Sequence, residues 1–110
     1  MTYDIWPNLA PMFFERMAEM GDGPFLSAKR DGEWRAVSGN DAAAQAASLA
    51  GALRAMGISP GDRVMLVSEN RPEWAIADLG IMAAGAITVP AYVTNRVNDH
   101  LHVMTDSGAK

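Results

Sequence analysis

The sequence predicts an α/β fold in which a β-hairpin and a parallel βαβ unit pack with helices. Two short strand-like runs flank the dipeptide Asp31-Gly32, which tolerates the positive φ angles of a tight hairpin turn. A largely apolar run at Arg63–Val67 and a shorter one at Ile87–Val89 enclose a helical segment. That pattern is typical of parallel strands joined by a right-handed crossover.

Length and composition predict one domain, residues 1–110, of a soluble protein. The chain is 49% hydrophobic and 20% charged, and its net charge of −4 argues against a nucleic-acid partner, which needs a basic face. It contains no cysteine, which excludes disulfides, thiolate nucleophiles and Cys-based metal sites. No secretion signal opens the sequence, and the longest apolar run, Ala75–Pro90, is interrupted by Asp78. We expect a cytoplasmic protein without a transmembrane segment.

The first helix is predicted over Leu9–Met20, with Asn8 as its cap and Gly21 at its end. Three residues spaced i, i+4 and i+7 form one apolar stripe on it, namely Phe13, Met17 and Met20. The hairpin follows, with strands predicted at Phe25–Lys29 and Glu33–Val37.

The second helix is predicted to begin at a capping box formed by Ser38 and Asp41 and to run to about Met56, where Gly57 ends it. Its predicted buried stripe contains Ala42, Ala46, Leu49, Leu53 and Met56.

The βαβ unit follows a turn at Ser59–Asp62. Asn70 is predicted to cap its helix, with Pro72 in the first turn and Glu73 reaching back to the cap. The helix should end near Gly85, and Pro90 should stop the second strand.

A final helix is predicted over Val97–Ser107, after which another strand is expected. Its inward row should contain Val97, Leu101 and Met104. The helix Trp74–Ala84 is apolar almost all round. Two parallel strands and a hairpin offer too little sheet to cover that much apolar surface. We therefore expect this chain to be the front of a larger structure. Alone, it should self-associate as a dimer over that helix or the open sheet edge.

Four polar residues, Glu69, Asn70, Arg71 and Glu73, follow the first parallel strand, where open α/β sheets place their ligands. One interpretation makes Arg71 an anion contact and Glu69 an acid or base. The other makes Asn70 and Glu73 helix caps and leaves the other two solvated. We favour the second, because capping explains the spacing without a ligand.

The pair His100 and His102 lies near Asp99 and Asp106. On a helix, residues two apart point in different directions and cannot share one metal ion, so we favour an exposed helix surface, with a His102–Asp106 pair as the alternative. No serine lies in a nucleophile elbow, and no glycines form a phosphate-binding loop. We therefore assign no catalytic, cofactor-binding or metal-binding residue.

The chain from Ala52 to Tyr92 resembles the N-terminal region of the AMP-forming acyl-CoA synthetases (fatty-acyl-CoA ligases), of the adenylate-forming superfamily that includes firefly luciferase. The ending Val97–Lys110 is similar to the segment that follows in fatty-acyl-CoA ligases. Where this family usually has a threonine, an aromatic residue and a glutamate, this chain has Ser38, Gly39 and Asp41. The segments that carry the match are Gly57–Asp62, Ser68–Trp74, Ala84–Ala86 and Val89-Pro90.

The resemblance implies that residues 1–110 are the N-terminal portion of the AMP-binding domain, the large domain of these enzymes. In that family ATP and a fatty acid give an acyl-adenylate, from which coenzyme A displaces AMP. The Mg²⁺ site, phosphate loop and catalytic lysine lie in downstream regions, so this chain is expected to hold no cofactor and to be inactive alone. The parent enzyme should use ATP, Mg²⁺, coenzyme A and a medium- or long-chain fatty acid, and the remainder of the ligase should be this chain's partner.

Two other interpretations remain open. In the first, the chain is a stand-alone interaction or regulatory module that has the same fold. Alternatively, it is a flavodoxin-like receiver, although such a domain needs a phosphoacceptor aspartate where this chain has Glu69.

Overall fold

The computed structural model describes residues 4–110 and confirms each predicted helix and strand. In chain order the elements are α1 (Leu9–Met20), β1 (Pro24–Arg30), β2 (Glu33–Ser38), α2 (Gly39–Ala55), β3 (Arg63–Val67), α3 (Pro72–Ala83), β4 (Ile87–Ala91) and α4 (Val97–Ser107). The described residues form two sheets of two strands each, an antiparallel β1–β2 hairpin and a parallel β3–β4 pair.

The hairpin turn has the backbone that its sequence predicts. Asp31 and Gly32 have φ angles of 52° and 80°, and the flanking residues Arg30 and Glu33 are paired across the strands. Positive φ at both central positions gives a turn whose twist matches that of the strands.

The hydrophobic core lies where α1, α2 and α3 meet. Its buried cluster contains Phe13, Met17, Ala42, Ala46 and Ile76. The small side chains of α2 allow α3 to approach its backbone closely. A Cβ atom added at Gly80 would lie 3.1 Å from the carbonyl oxygen of Ala46 and 2.8 Å from Cδ2 of Leu49.

Helix α3 is the central element, and it packs against α1, α2, β1, β3 and β4. Every residue from Trp74 to Ala84 is buried or half-buried. The prediction that too little structure surrounds this helix is therefore wrong, because α1 and α2 supply cover that the strands alone do not.

The second helix is confirmed at both ends, with one correction to its buried stripe. Ser38 Oγ accepts a hydrogen bond from the Asp41 N–H at 3.0 Å. Past the C-terminus, the Ile58 N–H donates to the Leu53 carbonyl at 3.0 Å, and Gly57 has a φ of 96°. The prediction that Met56 is buried is wrong: it is 79% exposed, because it lies beyond the last turn that faces α3.

Pro90 does not stop β4, which continues to Ala91. The Ile87 N–H donates to the Asp62 carbonyl of the neighbouring chain segment at 2.8 Å. Since backbone groups alternate sides along a strand, the nitrogen of Pro90 points away from β3, where no ladder bond is needed.

Helix α4 is confirmed over Val97–Ser107, but the predicted inward row is wrong. Val97, Leu101 and Met104 are 82%, 60% and 46% exposed, respectively. The half-buried row contains His100, Val103 and Ser107 instead, and α4 packs against β4. The sequence offers both rows at helical spacing. The Arg63 Nε donates to the Ser107 carbonyl at 2.7 Å and holds the second row towards the sheet.

The turn Ser59–Asp62 ties the start of β3 to its surroundings. The Asp62 carboxylate accepts from the Ser59 N–H at 2.8 Å and lies 3.2 Å from Lys110 Nζ. The Ser59 hydrogen bond and then the Lys110 ammonium hold the pKa of Asp62 below its usual range. Within residues 4–110, no helix is long and apolar enough to cross a membrane.

Gly80→Ala should destabilise the chain by about 1–2 kcal/mol, because the added methyl group overpacks the α2–α3 contact by more than the gain in helix propensity. The measurement is urea unfolding. The matched control is Gly51→Ala in α2, where a Cβ atom meets nothing within 4 Å. That variant should be stabilised by about 0.5–1 kcal/mol, since only the propensity changes. Equal effects at the two glycines would contradict the close approach.

The Asp62 network predicts a pH dependence of stability. Because the folded-state pKa is lowered, the carboxylate stabilises the fold above its unfolded-state pKa of about 3.9, and this contribution is lost as the pH falls through the folded-state pKa. Wild type should therefore be more stable than Asp62→Asn at about pH 6, with the difference shrinking towards about pH 3. Urea midpoints measured across this range check it, and a difference independent of pH would be the contrary result.

Candidate functional site

The carboxyl ends of β3 and β4 lie at the same edge of the parallel sheet, because Val67 is paired with Ala91. This is the edge at which open α/β sheets place their ligands. The turn from Ser68 to Arg71 leaves β3 here and enters α3, so the residues singled out from the sequence do lie at this edge.

A cleft of about 570 Å³ opens between that turn and the first strand of the hairpin. Its walls combine basic, acidic and small side chains, from Leu26, Ser27, Ala28, Lys29, Arg30, Glu69, Asn70, Arg71, Pro72 and Ala75. The fold thus brings Glu69, Asn70 and Arg71 together with two basic residues of β1.

Two of the four charged residues that line this cleft, Arg30 and Arg71, are paired with Glu73 beside it. Arg30 donates to Glu73 at 2.5 Å, and Arg71 Nε lies 3.5 Å from the same carboxylate. The pKa of Glu73 is lowered by a hydrogen bond from its own backbone N–H and then by the charges of Arg30 and Arg71. All three side chains remain about half exposed, so we expect each ion pair to contribute at most about 1 kcal/mol to stability.

The predicted cap of α3 is wrong. Arg71, not Asn70, is the N-cap residue, and its side chain makes no capping hydrogen bond within the described chain. Glu73 does not reach back to the cap either. Because Pro72 at the first helical position has no N–H, the next free donor is the Glu73 N–H, and its own carboxylate takes it. Arg71, Pro72 and Glu73 therefore form the start of the helix, in an arrangement that differs from the predicted cap.

This helix start does not fit a nucleotide phosphate. Such a site needs free N–H groups and glycines that let the backbone approach the anion. Here the turn contains no glycine, Pro72 offers no donor, and the Glu73 carboxylate would repel phosphate. In the part of the chain that the structure describes, no three His, Asp or Glu residues cluster to hold a metal ion.

The two histidines lie on α4, as the helical interpretation predicts. His102 is exposed, whereas His100 is half-buried with its Nδ1 enclosed and without a hydrogen-bond partner among the described residues. Across positions 4–110 no ion pair joins His102 to Asp106.

A second cleft, of about 310 Å³, lies at the same edge of the sheet and is mostly apolar. It is lined by Ser68, Trp74, Pro90, Ala91, Tyr92 and Val93. Sequence reasoning missed both Arg30 and Tyr92 as residues of this region. Arg30 lies 43 positions from Glu73 and carries no local signal, whereas the place of Tyr92 directly after β4 could have indicated it.

The segments that carry the family resemblance are joined to one another by backbone contacts. The Gly61 N–H donates to the Gly85 carbonyl at 2.9 Å, and these residues have φ angles of 85° and 82°. A Cβ atom at Gly85 would touch Pro60 at 3.4 Å. The glycines therefore fix how the turn before β3 meets the turn after α3.

Comparison with known proteins bears on the same segments. The family model described as AMP-binding enzyme matches residues 13–110. The long-chain-fatty-acid–CoA ligase FadD15 of Mycobacterium tuberculosis is 39% identical over 102 residues, which cover 93% of this chain and 17% of that ligase. The 4-coumarate–CoA ligase 3 of Oryza sativa subsp. japonica is 40% identical over 78 residues, 71% of this chain and 14% of the relative. The chain thus spans about a sixth of the length of these relatives.

The fold agrees with the sequence match. The crystal structure of a fatty acid AMP ligase from Legionella pneumophila superposes with a TM-score of 0.83 at 22% identity, over 91% of this chain and 18% of that one. The hairpin, the parallel pair and the helices around α3 thus have the fold of the corresponding part of that ligase. Since the family model matches most of the sequence, this chain belongs to the AMP-binding enzymes, the adenylate-forming family that its motifs resemble.

Proposed function

We propose that the chain is the N-terminal portion of an AMP-forming ligase that joins a medium- or long-chain fatty acid to coenzyme A. In this proposal it acts as a scaffold and contributes no catalytic group. The observation that carries it is the 39% identity to FadD15 across 93% of the chain. The parent enzyme is cytoplasmic and uses ATP, Mg²⁺ and coenzyme A, and its remaining polypeptide is this chain's partner.

The reaction assigned to the parent has two steps. The fatty-acid carboxylate attacks the α-phosphorus of ATP and releases pyrophosphate, and the thiol of coenzyme A then attacks the acyl carbon and releases AMP. Both steps require stabilisation of developing negative charge. The described residues are poorly suited to this, because the carboxylate of Glu73 lies within reach of both Arg30 and Arg71.

The acyl substrate is the finer part of the proposal. The match to FadD15 covers more of the chain than the match to the coumarate ligase, and this favours a fatty acid. Both relatives are similarly identical to this chain, however, although their names give different acyl groups. We infer that the shared residues serve the frame, as Gly61 and Gly85 do, and that chain length is selected by other parts of the ligase.

The purified 110-residue chain should show no fatty-acid-dependent ATP–pyrophosphate exchange above the blank, because no phosphate site is built at the start of α3. The assay uses radiolabelled pyrophosphate with C8 to C18 fatty acids, and full-length FadD15 is the positive control. Exchange by this chain alone would contradict its role as an inactive scaffold.

The size of the native gene product separates this proposal from its alternative. An antibody to this chain should detect a band several times larger than 11.8 kDa in source-cell lysate. A band at that mass would instead support a stand-alone interaction or regulatory module with the same fold.

One feature of the surface supports the alternative, a stand-alone interaction or regulatory module. Val97, Leu101 and Met104 form an exposed apolar row on α4, and Tyr92 is 79% exposed nearby in sequence. Exposed apolar patches usually mark a contact surface. In the parent enzyme the rest of the ligase covers that surface, and in a stand-alone module another protein binds to it.

The isolated chain should self-associate at high concentration through this row. Light scattering should give a mass above that of the monomer, and Leu101→Glu should restore the monomer. Thr105→Glu, at an exposed polar position of the same helix, is the matched control and should not. A wild-type monomer at every concentration would count against the contact surface.

A further inference from the structure

The chain contains two Asp-Gly dipeptides, and the fold places them in opposite surroundings. Asp31-Gly32 forms the tip of the β1–β2 hairpin, whereas Asp22-Gly23 lies in the connection between α1 and β1. Asp-Gly is the dipeptide most prone to cyclise, because glycine has no Cβ atom to hinder attack by its backbone nitrogen on the aspartate side chain. The reacting groups are identical at the two sites, so a large difference in their reactivity would reflect the fold.

The groups that would react at Asp31-Gly32 lie open to solvent. The Asp31 side chain is 90% exposed, and its ion-pair partner, Arg35 Nη2, lies 3.9 Å away on a side chain that is itself 59% exposed. An exposed pair of this kind restrains the carboxylate little. Among residues 4–110 no hydrogen bond engages the Gly32 N–H, and a Cβ atom added at Gly32 would meet nothing within 4 Å. The side chain and the backbone nitrogen are therefore free to approach each other.

The backbone of Asp31 is also in an unfavourable conformation. Among the residues that the structure describes, Asp31 is the one non-glycine residue with a positive φ, 52°. A residue with a Cβ atom disfavours this left-handed region, although aspartate tolerates it better than most. Cyclisation needs a rotation about the Asp31 backbone, and at an exposed hairpin tip such a rotation disturbs no packed side chain.

Contacts with both neighbouring helices hold the same groups at Asp22-Gly23. Asp22 Oδ1 accepts a hydrogen bond from Asn40 Nδ2 at 2.9 Å, and the Gly23 N–H donates to the Met20 carbonyl at 3.1 Å. The Gly23 carbonyl accepts from the Gly39 N–H at 3.0 Å. Attack by the Gly23 nitrogen on the Asp22 carboxyl carbon would break the first two of these bonds, so the connection between α1 and α2 would have to open first.

We propose that Asp31 is a site of covalent modification, at which it cyclises with the Gly32 nitrogen and converts to isoaspartate, while the fold protects Asp22. In the first step the Gly32 nitrogen bonds to the side-chain carboxyl carbon of Asp31, and the carboxyl OH leaves with the amide proton as water. In the second step water adds to the main-chain carbonyl carbon of Asp31. The bond from that carbon to the Gly32 nitrogen breaks, and the nitrogen takes a proton. Water is the only co-reactant, and the net change is an isomerisation.

The product changes the hairpin and creates a group that an enzyme can recognise. In isoaspartate the main chain runs through Cβ, which lengthens the turn by one atom, so the pairing of Arg30 with Glu33 no longer fits a two-residue turn. Arg30 also contacts Glu73, so the change reaches the wall of the cleft beside α3. The former main-chain carbonyl becomes a free carboxylate, the group that isoaspartyl carboxyl methyltransferases modify with a methyl group from S-adenosylmethionine.

The test follows both dipeptides in one sample of the purified protein, kept for weeks in warm, mildly acidic buffer. Endoprotease Asp-N cleaves before aspartate but not before isoaspartate, so loss of cleavage at each site, measured by mass spectrometry, reports its conversion. In the folded protein the loss at Asp31 should exceed the loss at Asp22 at least about fivefold. In urea, which removes the contacts of Asp22 and leaves the reacting groups unchanged, the two losses should become similar.

A variant tests the protection of Asp22 directly. Asn40→Ala removes the hydrogen bond to the Asp22 carboxylate and should increase the loss at Asp22 in the folded protein, with the loss at Asp31 unchanged. Equal losses in the folded wild type, a faster loss at Asp22, or no loss at either site would overturn the proposal. A preference for Asp31 that persists in urea would also overturn it, because the fold would then not be the cause. None of these outcomes depends on the reaction of the parent enzyme.

Discussion

The close approach of α2 and α3 determines the rest of this structure. Alanines on α2 and Gly80 on α3 bring the two backbones so near that a single methyl group meets a carbonyl oxygen at 3.1 Å. Helix α3 packs in this way against α2 and α1, and β3 and β4 pack along its remaining surface. The position of α3 therefore determines the positions of both strands of the βαβ unit. The alanine-rich composition is therefore a requirement of packing geometry, since larger residues on either helix would push the sheet away from the core.

The elements could be predicted from the sequence because their signals are local. Asn8, Ser38 and the Asp31-Gly32 dipeptide each act within a few residues, and the structure confirms each of them. The errors arise where two local solutions compete. Asn70 and Arg71 are both suitable boundaries for α3, and α4 carries two rows at helical spacing, of which the bond from Arg63 to Ser107 selects one.

The region around the cleft was less predictable, because its contacts join distant parts of the sequence. Nothing near Arg30 indicates that it meets Glu73, and the pairing exists only once the hairpin has packed beside α3. The resemblance over Ala52–Tyr92 nevertheless indicated the right family, through residues that have mainly structural roles. Gly61 and Gly85 are required because their backbones adopt positive φ angles and meet across two turns, a demand independent of the acyl substrate.

The cover around α3 has a consequence for how the polypeptide folds. The elements that enclose this helix all lie between Leu9 and Ala91, so its apolar surface is shielded by sequence that is close to it in the chain. During synthesis on a ribosome these residues emerge in order, and domains generally fold as units from the N-terminus. The helix can therefore be enclosed soon after it leaves the exit tunnel, which shortens the time during which chaperones or neighbouring nascent chains meet its most apolar surface.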